Sequence, residues 1–164
     1  VLASAAHARS PGVTARSSAL LACAVAARAA DTAAATWTGS GRRSRVLYVE
    51  DNPINTMLME SIFERLPESR LSTAATGADA QTQALTDPPD LLLLDLQLPD
   101  TDGTSLLARL RESASLRDVP AVAVSADSHS EGIDAALAAG FCDYWVKPLD
   151  LERTLERLTA LLRG

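Results

Sequence analysis

Four places in this 164-residue chain put reactive residue types where a fold would expose them: Glu50-Asp51, Asp95, Ser125 and Lys147. Each closes or directly follows a short apolar run of the kind that forms a buried strand: Arg45–Glu50, Asp90–Asp95 with its four consecutive leucines, Ala121–Ser125, and Phe141–Val146. If the first and third of the five strands are neighbours, three carboxylates meet in one small pocket. Their repulsion would raise their pKa values unless a cation sat among them. Mg²⁺ suits such a set, because it takes hard oxygen ligands, commonly one or two carboxylates with waters and phosphate oxygens, and needs neither His nor Cys. A metal flanked by a lysine and a hydroxyl points to phosphoryl chemistry.

Lys147 is the only lysine in the chain, every other basic side chain being arginine. An ammonium meets phosphate as a compact, flexible point charge, whereas a guanidinium imposes a planar fork, so the two are not interchangeable in a crowded site.

Positioning these residues requires alternating strands and helices, and the chain supplies them from Arg45 onward. Helical patterns run over Pro53–Leu66, Gly77–Thr86, Gly103–Glu112, Glu131–Ala139 and Asp150–Leu162, and a weaker strand over Arg70–Ala74 completes five strands and five helices. Pro53 stands at a first helical position, where its missing N–H costs nothing, Pro88-Pro89 stops the second helix, and Gly140 ends the fourth. Strict alternation implies right-handed crossovers and a parallel sheet covered on both faces: a three-layer, doubly wound α/β fold. In such a sheet the functional crevice lies beyond the carboxyl ends of the strands, where strand order reverses. All four candidate places fall at those ends.

Composition sets the outer bounds. With 47% apolar and 22% charged residues, the chain can bury one sizeable core, and aromatics are scarce at 4%, so that core is built from Leu, Val, Ile and Ala. Residues 1–44, rich in Ala, Ser, Thr and Arg, hold five arginines against one acid, a charge of +4, and read as a disordered tail or linker ahead of a domain spanning 45–164. That domain carries 10 basic and 20 acidic residues, −10, a poor electrostatic match for nucleic acid. Within the tail, Ala19–Ala30 has helical propensity without a broad apolar stripe. The run Leu20–Val25 behind two arginines resembles a signal peptide, and the Arg-rich, acid-poor composition resembles a transit peptide. No stretch reaches the roughly 18–20 apolar residues of a membrane span. Cys23 and Cys142 show no metal-ligand or redox spacing, and His7 and His129 stand isolated, so a reduced cytoplasm is the default setting. The chain lacks an initiating Met, which is compatible with a fragment of a larger protein.

The segments Leu47-Tyr48-Val49-Glu50-Asp51-Asn52-Pro53-Ile54-Asn55, Leu93–Gly103, Val124-Ser125-Ala126 and Asp143-Tyr144-Trp145-Val146-Lys147-Pro148 resemble the hallmark segments of response-regulator receiver domains. The first of them is especially similar to receivers of hybrid sensor kinases. The resemblance covers about Arg45 to Gly164 and implies a flavodoxin-like five-stranded sheet in the order 2-1-3-4-5. It further implies that Asp95 accepts a phosphoryl group from the phosphohistidine of a histidine kinase or histidine phosphotransfer protein. Glu50, Asp51, Asp95 and the backbone carbonyl of Gln97 would hold Mg²⁺. Lys147 and the Ser125 hydroxyl would bind phosphoryl oxygens, and movement of Ser125 would let Tyr144 turn inward and reshape the face around the fourth helix and fifth strand. Gly103 would keep its loop close to the site, and Pro148 would follow a constrained peptide. Gln97 is also placed to orient a hydrolytic water.

Such a domain is a signalling module and not an enzyme in its own right. With the fifth helix running almost to Gly164, no DNA-binding module follows in this sequence, and output is expected through a downstream effector protein; a phosphorylation-dependent dimer through the last helices stays open. An aspartyl phosphatase would need a second carboxylate two residues after the nucleophile, where Gln97 stands. A flavodoxin would need a phosphate loop after the first strand, and Glu50-Asp51 would repel that phosphate. A pseudo-receiver, docking without phosphorylation, is the remaining alternative.

Overall fold

The computed structural model describes residues 43–163. The expectations for the tail, including the Ala19–Ala30 helix, the targeting readings, His7 and Cys23, lie outside the described residues. In chain order the elements are β1 (Ser44–Val49), α1 (Pro53–Phe63), β2 (Ser69–Ala74), α2 (Gly77–Thr86), β3 (Leu91–Asp95), α3 (Gly103–Leu110), β4 (Ala121–Ser125), α4 (Ser130–Ala138), β5 (Asp143–Val146) and α5 (Leu151–Arg163). The sheet runs β2-β1-β3-β4-β5 with every pairing parallel, so β1 and β3 are neighbours as the carboxylate pocket requires. Five helices cover both faces of this flavodoxin-like fold. Among the described residues, no helix is long and apolar enough to cross a membrane.

Strand alternation divides the core in two. Leu47, Val49, Leu92, Leu94, Ala121 and Ala123 point to one face and meet Ala80 and Ala84 of α2, Leu106, Leu107 and Leu110 of α3, and Ala136 of α4. Val46, Tyr48, Leu91, Leu93, Val122, Val124 and Trp145 point to the other and meet Met59, Ile62 and Phe63 of α1 and Leu158 of α5. Period-2 alternation with both faces covered is why β3 needs four leucines in a row. Trp145 also ties β5 to α5: its indole N–H donates to Asp143 at 2.7 Å, and Arg157 donates to the same carboxylate at 3.1 Å while lying 5.3 Å from the indole centroid.

Helix starts follow their capping residues. Asn52, Thr76 and Asp102 accept backbone N–H groups of Ile54, Asp79 and Ser105 at 2.9, 3.1 and 2.8 Å, satisfying donors that the helices themselves leave open. Several element boundaries shift by one to three residues from the sequence-based expectation, and two of the shifts have a clear local cause. Helix α1 ends at Phe63 rather than Leu66, because Pro67 disfavours helical backbone at the residue before it; the chain tightens, with Arg65 and Leu66 bonding the carbonyls of Ile62 and Phe63 three residues back. Strand β5 starts at Asp143 rather than Phe141. Gly140 takes φ 104°, and the N–H groups of Gly140 and Phe141 close onto Leu137 and Ala136, so Phe141 belongs to the helix cap and buries its ring there.

Candidate functional site

The parallel register brings Val49 level with Leu94, Asp95 with Val124, and Ser125 with Val146. Glu50, Asp95, Ser125 and Lys147 therefore gather at one edge of the sheet, at the β1/β3 switch point. Glu50, Asp95 and Ser125 are 3%, 4% and 2% exposed, while Asp51 faces solvent. Carboxylate oxygens of Glu50, Asp51 and Asp95 lie within 4.8 Å of one another, a group able to hold a metal ion. These are hard donors without nitrogen or sulfur, the set that suits Mg²⁺.

Lys147 reaches across this group. Its Nζ lies 2.6 Å from Asp95 Oδ2 and 2.6 Å from Glu50 Oε2. Tyr48, fully buried one strand position from Val49, donates its hydroxyl to Glu50 Oε2 at 2.8 Å, and the Asn52 N–H donates to Glu50 Oε1 at 3.1 Å. Asp95 Oδ1 accepts the Gln97 N–H at 2.8 Å. The two buried carboxylates consequently titrate differently. Burial pushes Asp95 above the usual carboxylate range, outweighing the pull of the Gln97 N–H and Lys147, and the charge of Glu50 adds to the rise. Burial also pushes Glu50 upward, but Lys147, the Tyr48 hydroxyl and the Asn52 N–H together hold it below its ordinary value. For Lys147, burial works against the ammonium and the two carboxylates overcome it, so its pKa is raised. The Tyr48 hydroxyl is pushed far upward by burial and by its acceptor Glu50, and stays protonated.

At the β4 exit Ser125 Oγ accepts the Asp127 N–H at 3.1 Å. Tyr144 is 8% exposed and packs on the α2–α4 face, with its hydroxyl donating to the Asp127 carbonyl at 2.8 Å. The Lys147–Pro148 peptide is cis. His129, an isolated residue in the sequence, is solvent-exposed, and its ring Nδ1 lies 2.5 Å from Asp127 Oδ1. The β3–α3 loop folds back over the site: a Cβ on Gly103 would lie 2.5 Å from the Asp95 carbonyl oxygen and 3.0 Å from Leu96 Cα. We expect Gly103→Ala to cost about 1–3 kcal/mol by overpacking against backbone, read as a lower urea midpoint; an unchanged midpoint would mean that the loop yields freely. In the same loop Asp100 receives the Gly77 and Ala78 N–H groups at 2.8 and 3.0 Å, capping α2 and leaving the metal group to the other three acids.

Two participants were not singled out from sequence. Tyr48 carries a faint signal, being the one aromatic in an aliphatic strand, two residues before Glu50 and so on its face. Asp127 carries none, since its main-chain contacts with Ser125 and Tyr144 depend on how the β4–α4 loop turns.

A family model for the response regulator receiver domain matches residues 46–159. The chain belongs to this family. Transcriptional regulatory protein PrrA of Mycobacterium leprae is 40% identical to this receiver domain over 119 residues, 73% of this chain and 50% of that protein. The signal transduction histidine-protein kinase BarA of Shigella flexneri is 32% identical over 108 residues, 66% of this chain and 12% of BarA. The chain thus spans about half the length of the curated regulators it matches. Among solved structures, the receiver domain of sensor histidine kinase PA1611 from Pseudomonas aeruginosa shares 30% identity at a TM-score of 0.67, covering 74% of this chain and 99% of that one, and it holds a magnesium ion in its active-site cleft. A response regulator from Chloroflexus aurantiacus gives 26% identity and a TM-score of 0.68, over 75% of this chain and all of that one.

Proposed function

We propose that this receiver domain, taken as residues 45–164, is a phosphoacceptor in a two-component phosphorelay, and that Asp95 is the acceptor. The observation that carries the proposal is the position of Lys147, whose ammonium touches both Glu50 and Asp95 at 2.6 Å beside a third carboxylate. A carboxylate oxygen of Asp95 attacks the phosphorus of a phosphohistidine; the new O–P bond forms as the P–N bond breaks, and its electron pair returns to the leaving imidazole. Glu50, Asp51, Asp95 and the Gln97 carbonyl would hold Mg²⁺, which when bound neutralises charge between the acid cluster and the incoming phosphoryl group. Lys147 binds a phosphoryl oxygen as a point charge, and the Ser125 hydroxyl donates to another. The donor is a histidine kinase or a histidine phosphotransfer protein, and the output passes to an effector protein through the face around α4 and β5, where Tyr144 lies. A docking module acting without phosphorylation is not favoured, and the acid group of Glu50, Asp51 and Asp95 with its shared lysine supports the phosphoacceptor reading over it.

Incubation with Mg²⁺ and a small-molecule phosphodonor, followed by intact-mass measurement, should show a gain of one phosphoryl group that a chelator abolishes. Failure to bind Mg²⁺ would favour the docking module. Gln97 is exposed two residues after Asp95 and suits the role of orienting the water that hydrolyses the aspartyl phosphate. Gln97→Ala should slow dephosphorylation by about 10-fold; an unchanged rate would remove that role.

A further inference from the structure

We propose that Asp127, clamped by His129, is a positioning residue that holds Tyr144 in its inward place and couples it to the Ser125 hydroxyl. One residue joins three parts of the domain. Its N–H donates to Ser125 Oγ at 3.1 Å, and its carbonyl accepts the Tyr144 hydroxyl at 2.8 Å from β5. Its carboxylate accepts the His129 N–H at 2.9 Å, faces His129 Nδ1 at 2.5 Å, and lies against the first turn of α4, where a Cβ on Gly132 would come within 2.7 Å of Oδ2. His129 is the N-cap of α4 but makes no side-chain cap bond of its own. Its ring is instead paired with Asp127.

The side chain of Asp127 therefore fixes the turn, and the turn fixes both main-chain groups. Without the carboxylate, the loop after Ser125 loses the bonds that keep its carbonyl aimed at Tyr144. The Tyr144 hydroxyl then loses the acceptor that holds the ring inward, and the inward position loses the net contribution of that bond. A shift of Ser125 toward a phosphoryl oxygen would pull the same turn through the Asp127 N–H, so the clamp links the phosphorylation site to the ring. This deepens the phosphoacceptor proposal and rests on it.

The chain has two tyrosines, which makes the test direct. Fluorotyrosine labelling of the full chain gives one fluorine resonance from Tyr48, beside Glu50, and one from Tyr144. In Asp127→Ala the ratio of inward to outward Tyr144 should fall about fivefold, the effect of losing one net hydrogen bond. Asp127→Asn keeps an acceptor oxygen for the His129 N–H and should recover most of the inward population, while His129→Ala should fall between the two. Thermal melting checks that the variants remain folded, and a general loss of structure would disturb Tyr48 as much as Tyr144. Adding beryllofluoride with Mg²⁺ as a phosphoryl mimic should move the Tyr48 resonance in wild type and in all three variants. A Tyr144 ratio unchanged in Asp127→Ala, or no better in Asp127→Asn than in Asp127→Ala, would overturn the clamp. A Tyr48 resonance that ignores beryllofluoride in wild type would overturn the phosphoacceptor reading, and the coupling with it.

Discussion

Asp95→Asn should take up no phosphoryl group, a fall of at least ~10³-fold in the rate of adduct formation, because an amide oxygen is a poor nucleophile. The replacement keeps the shape of the side chain and an acceptor for the Gln97 N–H, which bonds Asp95 Oδ1 at 2.8 Å. The variant should therefore fold, and stability should not suffer at neutral pH. Burial raises the Asp95 pKa, so the folded state binds that proton more tightly than the unfolded chain does. A raised carboxyl pKa stabilises the fold at low pH and costs stability as pH climbs past the unfolded value of about 4. Asparagine carries no such cost. Relative to wild type, Asp95→Asn should gain as pH rises from 4 to 7, measured as the urea midpoint at each pH. A mass gain in Asp95→Asn equal to that of wild type would place the acceptor elsewhere, and a stability gap that shrinks with pH would contradict the burial argument.

Lys147→Met should be damaging in two separable ways. Phosphorylation should slow by about 10²–10³-fold, the usual effect of removing one preorganised charge contact with a transferring group. The fold should also weaken, because Glu50 and Asp95 would be left buried and facing each other without their shared cation. Breaking a buried pair costs roughly 3–5 kcal/mol, and we expect about 2–3 kcal/mol at pH 7, since the Lys147 side chain is 15% exposed. Lys147 lowers both carboxyl pKa values, so without it both rise and the variant takes up protons more readily when folded. The stability gap should accordingly be widest at neutral pH and close as pH falls through the carboxylate range. Added Mg²⁺ should raise the unfolding midpoint of Lys147→Met more than that of wild type, because the cation would fill the role of the missing ammonium. Equal stability of the two proteins without metal would refute the shared-cation account.

The sequence by itself determined the five strands, the five helices and the placing of Glu50, Asp95, Ser125 and Lys147 at strand ends. Strand and helix periodicities are local, and a buried parallel sheet writes them as apolar runs closed by polar residues. It also determined the family, through segments contiguous in the chain. Strand order was legible only through the resemblance, since alternation alone does not say that β1 lies between β2 and β3. Helix α1 gave way early because Pro67 acts on the residue before it, and Phe141 left its expected strand because Gly140 drew it into a cap. Tertiary structure alone decided how the site residues meet. Two like carboxylates part in pKa because Tyr48 and Asn52 serve Glu50 while only Gln97 serves Asp95 beside their common lysine. Asp127 joins Ser125 to Tyr144 through its backbone, and main-chain N–H and carbonyl groups are the same in every residue. Their direction is set by the turn of the loop and by contacts from strands distant in sequence, which is why no pattern of residue types could announce it.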